Sequence, residues 1–94
     1  MSAAGSEQLD RQAAFQKAQA VKRAHESDLM SKANVVGVGI GLLRRGGVRT
    51  DTVGLVVMVR QKLPRSQLAP DDIIPREIED VPVDVQEVGE IKAQ

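Results

Sequence analysis

Ninety-four residues with 13 Lys/Arg against 13 Asp/Glu make a formally neutral chain, sized for one small domain with a modest core. There is no cysteine, which excludes disulfides, thiolate metal sites and cysteine nucleophiles, and no apolar run reaches the roughly 18 residues of a spanning helix. Phe15 is the one aromatic residue, so the core is built from Val, Leu, Ile and Ala, and burial against a partner or a second copy is expected to supplement it.

The neutral total hides a split. Residues 35–65 carry six Lys/Arg against one Asp, whereas residues 66–94 carry two against eight Asp/Glu. Opposite charges so segregated attract each other within one molecule or between copies. The opening MSAAGSEQLD has neither a basic n-region nor an apolar h-region, so no secretory signal is expected and a cytoplasmic location follows by default.

Residues 1–5 are small and featureless and are expected to be disordered. Ser6 then offers an N-cap, with Glu7 and Asp10 in the first turn where acidic groups suit the helix dipole. Ala14, Ala18, Val21, His25 and Leu29 recur at steps of three and four, which predicts an amphipathic helix over 7–32, stopped by Asn34. Ser27 is an alternative cap for a short second helix.

The period then changes from 3.6 to 2. Val35–Leu43 (VVGVGIGLL) sets Val36, Val38, Ile40 and Leu42 on one face of a strand and Gly37, Gly39 and Gly41 on the other. Arg44-Arg45-Gly46-Gly47 supplies a turn. Val53–Arg60, apolar on both faces, predicts a second strand that is well covered and closes a β-hairpin. Pro64, Pro70 and Pro75 break the next stretch into short helical turns near Ser66–Leu68 and Pro70–Ile74. Val81, Val83 and Val85 alternate with Pro82, Asp84 and Gln86 as a half-buried strand, at an edge or with Pro82 at its first position. The tail after Gly89 is expected to be loose. The fold class is therefore α+β in two layers, a long N-terminal helix on a three-stranded sheet in the order α-β-β-short α-β, with residues 6–89 as one domain.

The glycine stripe stands out. Three glycines inside a strand cost on the order of 1.5–3 kcal/mol relative to alanine, a large share of a small domain's stability. Some close approach must offset that. The first expectation is that the alanine-rich helix face packs onto the stripe; the second is a flat groove open to another chain; the third is a bulge or added twist. Nucleotide binding fits poorly, because G-x-G-x-G leads into a turn and a strand and offers phosphate no helix N-terminus.

Catalytic and metal chemistry find no constellation. His25 is the single histidine and reads as a partly buried packing residue. Asp71, Asp72, Glu77, Glu79 and Asp80 lack the alternation and central glycine of a calcium loop and read as a solvated face, or as one that meets a basic partner. Arg44, Arg45 and Arg49 crown the hairpin, yet neutral charge and the lack of an aromatic platform argue against nucleic acid. No metal, cofactor, membrane or small-molecule ligand is expected. The candidate interaction surface is Gly37, Gly39, Gly41, Arg44, Arg45, Arg49, Asp71 and Asp72.

Residues 23–89 also carry a textual likeness. His25-Glu26 ahead of VVGVGIG, then Lys62-Leu63-Pro64, Ile74-Pro75 and Val81-Pro82-Val83-Asp84-Val85, resemble the segment preceding the peptidase domain in bacterial trypsin-like serine peptidases of the plant narrow-leaf type, and related short stand-alone bacterial proteins. The likeness covers about two thirds of the chain. It implies an accessory domain and not a peptidase, since none of the 94 residues falls at a position of the catalytic domain and no catalytic residue is carried over. The expected function is a non-enzymatic protein-interaction module that binds a partner, a serine peptidase among the candidates, or binds itself. The alternative is a structural subunit of an ordered homo-oligomeric assembly such as a shell, fibre or phage particle.

Overall fold

The computed structural model describes residues 3–89, with side chains from Asp10 onward. Helix α1 spans Ala3–Met30 without a break at Ser27. It starts ahead of Ser6, so Ala3–Gly5 are helical and not disordered; two alanines are the strongest helix formers and carry the first turn past the single glycine. Met1, Ser2 and the tail at 90–94 lie outside the described residues. Ala18, Val21 and Leu29 are buried along one side of α1, with Ala14 and His25 half-buried beside them.

The helix ends at Met30, and a short turn leads to Asn34, whose φ of 78° turns the chain back toward the sheet. Asparagine tolerates that left-handed conformation better than most residues because its short side chain bonds locally. Here the Asn34 amide donates to the Gln61 carbonyl, and the Gln61 N–H donates to Asn34 Oδ1 at 3.0 Å. The Arg60 N–H donates to the Asn34 carbonyl at 2.9 Å. One residue thus ties the start of the sheet to its second strand's exit.

Strands β1 (Val35–Arg45) and β2 (Val48–Val59) form the hairpin, longer at the turn than the sequence pattern marks. Arg44 and Arg45 belong to β1, and the turn itself is Gly46-Gly47, both at positive φ. Two short 3-10 turns come next, Arg65–Gln67 and Pro70–Asp72, where the prolines broke the pattern. Then come β3 (Glu77–Ile78) and β4 (Val81–Glu87).

The sheet therefore has four strands and not three, in the order β1-β2-β4-β3. β2 and β4 are parallel, and the other neighbours are antiparallel. The strand absent from the sequence reading, β3, is joined to β4 by Glu79-Asp80, a two-residue turn with φ of 49° and 67°. Tight hairpin turns of this kind favour Asn-Gly or Asp-Gly; Glu-Asp gives no such signal. Contacts with α1 hold the turn instead, His25 Nε2 to Glu79 Oε2 at 2.7 Å and Lys17 Nζ to Asp80 Oδ2 at 3.9 Å. A left-handed non-glycine residue costs roughly 1–2 kcal/mol, and an exposed ion pair returns well under 1. Asp80→Gly is accordingly expected to stabilise the fold by about 0.5–1 kcal/mol in urea titration.

Pro82 also corrects the reading of β4, which is neither an edge strand nor begun by its proline. It lies between β2 and β3, and Pro82 is its second residue. The β2–β4 ladder opens at Leu55–Val83, one residue past the proline, so its missing N–H takes nothing from the ladder.

One cluster of buried side chains joins the layers: Ala18, Val21 and Leu29 of α1 against Val35, Leu55, Val57, Val59, Val81 and Val83. Val38, Ile40, Val53 and Val85 pack around it. Every member is aliphatic, as a chain with one aromatic residue requires.

Candidate functional site

Register decides which face the glycines occupy. Residues directly opposite in an antiparallel pair share a face. Val38 pairs with Val57 and Ile40 with Leu55, and these belong to the core beneath α1. Gly37 pairs with Met58, Gly39 with Val56 and Gly41 with Gly54, so the stripe lies on the opposite face, away from the helix. The expectation that α1 packs onto the glycines is overturned. Ala18 meets the Val and Leu side chains of the core instead.

The close approach that the glycines permit comes from β2. A Cβ on Gly37 would stand 2.9 Å from Met58 Cε, and one on Gly41 would meet Val56 Cγ2 at 3.4 Å. Met58 and Val56 thus lie down over bare backbone and make a low, flat apolar surface. Gly39 has more room, its nearest neighbour being Met58 Cε at 3.9 Å. All five residues are half-buried, so β2 is less covered than its two apolar faces suggested. Asp84 pairs with Val56 and Gln86 with Met58, giving the open face a polar border on β4.

Both ends of β1 are irregular. At its start Val35 faces Val59 and Gly37 faces Met58, leaving Val36 as an extra residue. At its end two steps of β1, Leu42 to Arg44, oppose four steps of β2, Arg49 to Val53. Within the widened gap Leu43 is 1% exposed, with Cδ2 close over Gly54 and apart from the cluster beneath α1. The gap also frees the Arg44 N–H, which donates to Asp84 Oδ2 at 3.1 Å from two strands away. The irregularities fall at Val36 and Leu43 and not on Gly37, Gly39 or Gly41, which are regularly paired, so bulges do not explain the stripe. Val36, the extra residue, and Leu42, still in register with Val53, are each 39% exposed, more than Val38 and Ile40.

The structure places the candidate residues along β1 and beside its two ends. The glycine stripe occupies the middle of β1. Arg44, Arg45 and Arg49 stand exposed at its hairpin end, and none of them enters the ion pairs found among the described residues. Asp71 and Asp72 belong to the other end. Asp72 Oδ1 accepts the Ala33 N–H at 2.9 Å, and Lys32 Nζ donates to the Asp71 carbonyl at 2.5 Å. These two aspartates clasp the crossover segment to the residues leading into β1. Along its outer side β1 has no neighbouring strand among the described residues.

Sequence reasoning missed Met58, Val56 and Gly54 as partners of the stripe, because only register reveals them. It also missed a cleft of about 520 Å³ beneath the crossover segment, floored by Val59, Leu63, Ile74 and Val85 and edged by Lys62, Arg65 and Arg76. Prolines hid this feature by making its walls look like unstructured connection. His25 is half-buried and contacts Glu79, in keeping with a packing position that closes the β3–β4 turn. Among the described residues, no three His, Cys, Asp or Glu side chains gather as metal ligands would, and no helix is long and apolar enough to cross a membrane. Compared with models of known protein families and with curated proteins, the chain matches none.

Proposed function

We propose that the chain is a non-enzymatic protein-interaction module whose working surface is the open face of the sheet together with the free edge of β1. The observation that carries this reading is the placement of Gly37, Gly39 and Gly41 on the face turned away from α1. A flat backbone floor walled by Met58 and Val56 suits the close approach of another polypeptide, and an unpaired strand is a ready template for one. Association with a serine peptidase is the narrower form of the proposal and rests on the resemblance of residues 23–89.

The test is capture from source lysate by the wild type, by Gly39→Lys and by Ala24→Lys. Gly39 has space above it, so the lysine blocks the face while sparing the fold, and Ala24 is an exposed helix position. Loss of a captured protein, or of self-association, with Gly39→Lys alone is the expected result. Equal capture by all three removes the reading, and co-purification of a serine peptidase selects its narrower form. The separation of Arg44, Arg45 and Arg49 from Asp71 and Asp72 also favours a structural subunit of an ordered homo-oligomeric assembly. Regular particles in electron microscopy at low salt are expected in that case.

A further inference from the structure

We propose that the partner of the β1 edge is a second copy of the same chain, paired antiparallel about a two-fold axis at Gly39 to give one continuous eight-stranded sheet. The inference rests on the interaction reading above and names its occupant.

Three observations converge on it. β1 is eleven residues long and lacks the proline or inward charge by which edges are usually blunted. In a two-fold pair whose helices lie on the same side, each residue must meet one of the same face, and centring on Gly39 satisfies this over the regular stretch Gly37–Gly41. Gly37 then faces the partner's Gly41, and Val38 the partner's Ile40. Val36 comes opposite the partner's Leu42, which brings together two strand residues that are each 39% exposed in the single chain. Phe15, 46% exposed in a shallow cleft beside Ile40, lies near the same edge and adds apolar area on the helix side.

Charge supplies the third observation and selects the direction. In this register Arg44 and Arg45 extend past the start of the partner's β1, opposite the partner's Asn34 and Ala33. Ala33 is the residue whose N–H is held by Asp72, so the basic end of one copy meets the acidic clasp of the other. Parallel pairing would instead set the two arginine clusters side by side. The antiparallel form keeps them about 30 Å apart, well beyond the screening length at physiological salt.

The test uses the intact chain in sedimentation equilibrium and light scattering across a concentration series. The wild type is expected to reach twice the single-chain mass of 10.1 kDa. V36E and L42K each place a charge against an apolar partner residue, twice per dimer, and each should weaken association about tenfold or more. The double variant V36E/L42K sets opposite charges against each other across the axis and should recover to within about threefold of wild type. Within one chain the two positions are six residues apart on a strand, roughly 20 Å, too far to compensate each other internally. Unchanged far-UV circular dichroism certifies the folds. Independently of any variant, amide protons of 36–42 should exchange faster on dilution. A wild type that stays monomeric, a dimer indifferent to V36E and L42K, or a double variant that adds the two losses overturns the proposal. A monomer whose partner capture still disappears with Gly39→Lys leaves the interaction reading standing and overturns self-pairing.

Discussion

Gly54→Ala is expected to lower folding stability by about 3 kcal/mol, near the upper end for overpacking, and the midpoint of thermal unfolding by about 15 °C. The reason is specific to this glycine. Its new Cβ would stand 2.4 Å from the Pro82 carbonyl oxygen and 2.9 Å from Leu43 Cδ2. A methyl group at the end of a side chain can swing aside; a backbone carbonyl on the neighbouring strand cannot, because Pro82 is fixed between the β2–β4 and β3–β4 ladders. β4 would have to move off β2, and the burial of Val81 and Val83 would go with it. Gly39→Ala is the control. Its nearest neighbour is a methionine methyl at 3.9 Å, so the alanine fits and should leave stability unchanged or raise it by up to about 1 kcal/mol. Urea unfolding of both variants checks the pair, and equal losses would refute this explanation of the two positions.

Leu55→Ala is the second large effect, expected at about 3–4 kcal/mol by the same measurement. Leu55 is wholly buried and lies on the central strand, paired with Ile40 on one side and Val83 on the other. Truncation leaves a void that must be filled by α1, β1 and β4 moving together, and no aromatic neighbour is present to swing into it. A domain of this size holds about 5–14 kcal/mol in total, so either substitution removes a large part of it. A Leu55→Ala loss below about 1 kcal/mol would show that the aliphatic core collapses freely.

Periodicity carried the sequence reading where it was local and clean. The three-and-four spacing of Ala18, Val21 and Leu29 marked the buried side of α1, and Val81, Val83 and Val85 marked β4. The failures lie where one segment's role depends on a distant one. Alternation in β1 separates Val38 and Ile40 from the glycines, but which set meets the helix is decided by β2, and there Leu55 and Val57 compete with the almost equally apolar Val56 and Met58. Nothing local ranks those two faces. The parallel pairing of β2 with β4 is non-local in the same sense, and β3 is two residues entered through a turn made of the wrong residue types. For the candidate surface, sequence showed the glycines, arginines and aspartates but not that β1 strings them together. That arrangement depends on Asp72 reaching back to Ala33.

The position of β2 in the sheet has a consequence for proteostasis. Val53–Val59 (VGLVVMV) is uncharged, free of proline and rich in β-branched residues, the composition that stacks into cross-β fibrils when left unprotected. On one side it is shielded early, by the adjacent hairpin strand. On the other its guard is β4, which arrives only after a crossover of some twenty residues and brings Pro82, Asp84 and Glu87, gatekeeper residue types that discourage lateral growth. Cleavage in the crossover, or synthesis paused before β4 emerges, would strip that guard and leave an aggregation-prone strand bare. β4 thus covers an aggregation-prone segment as well as completing the sheet.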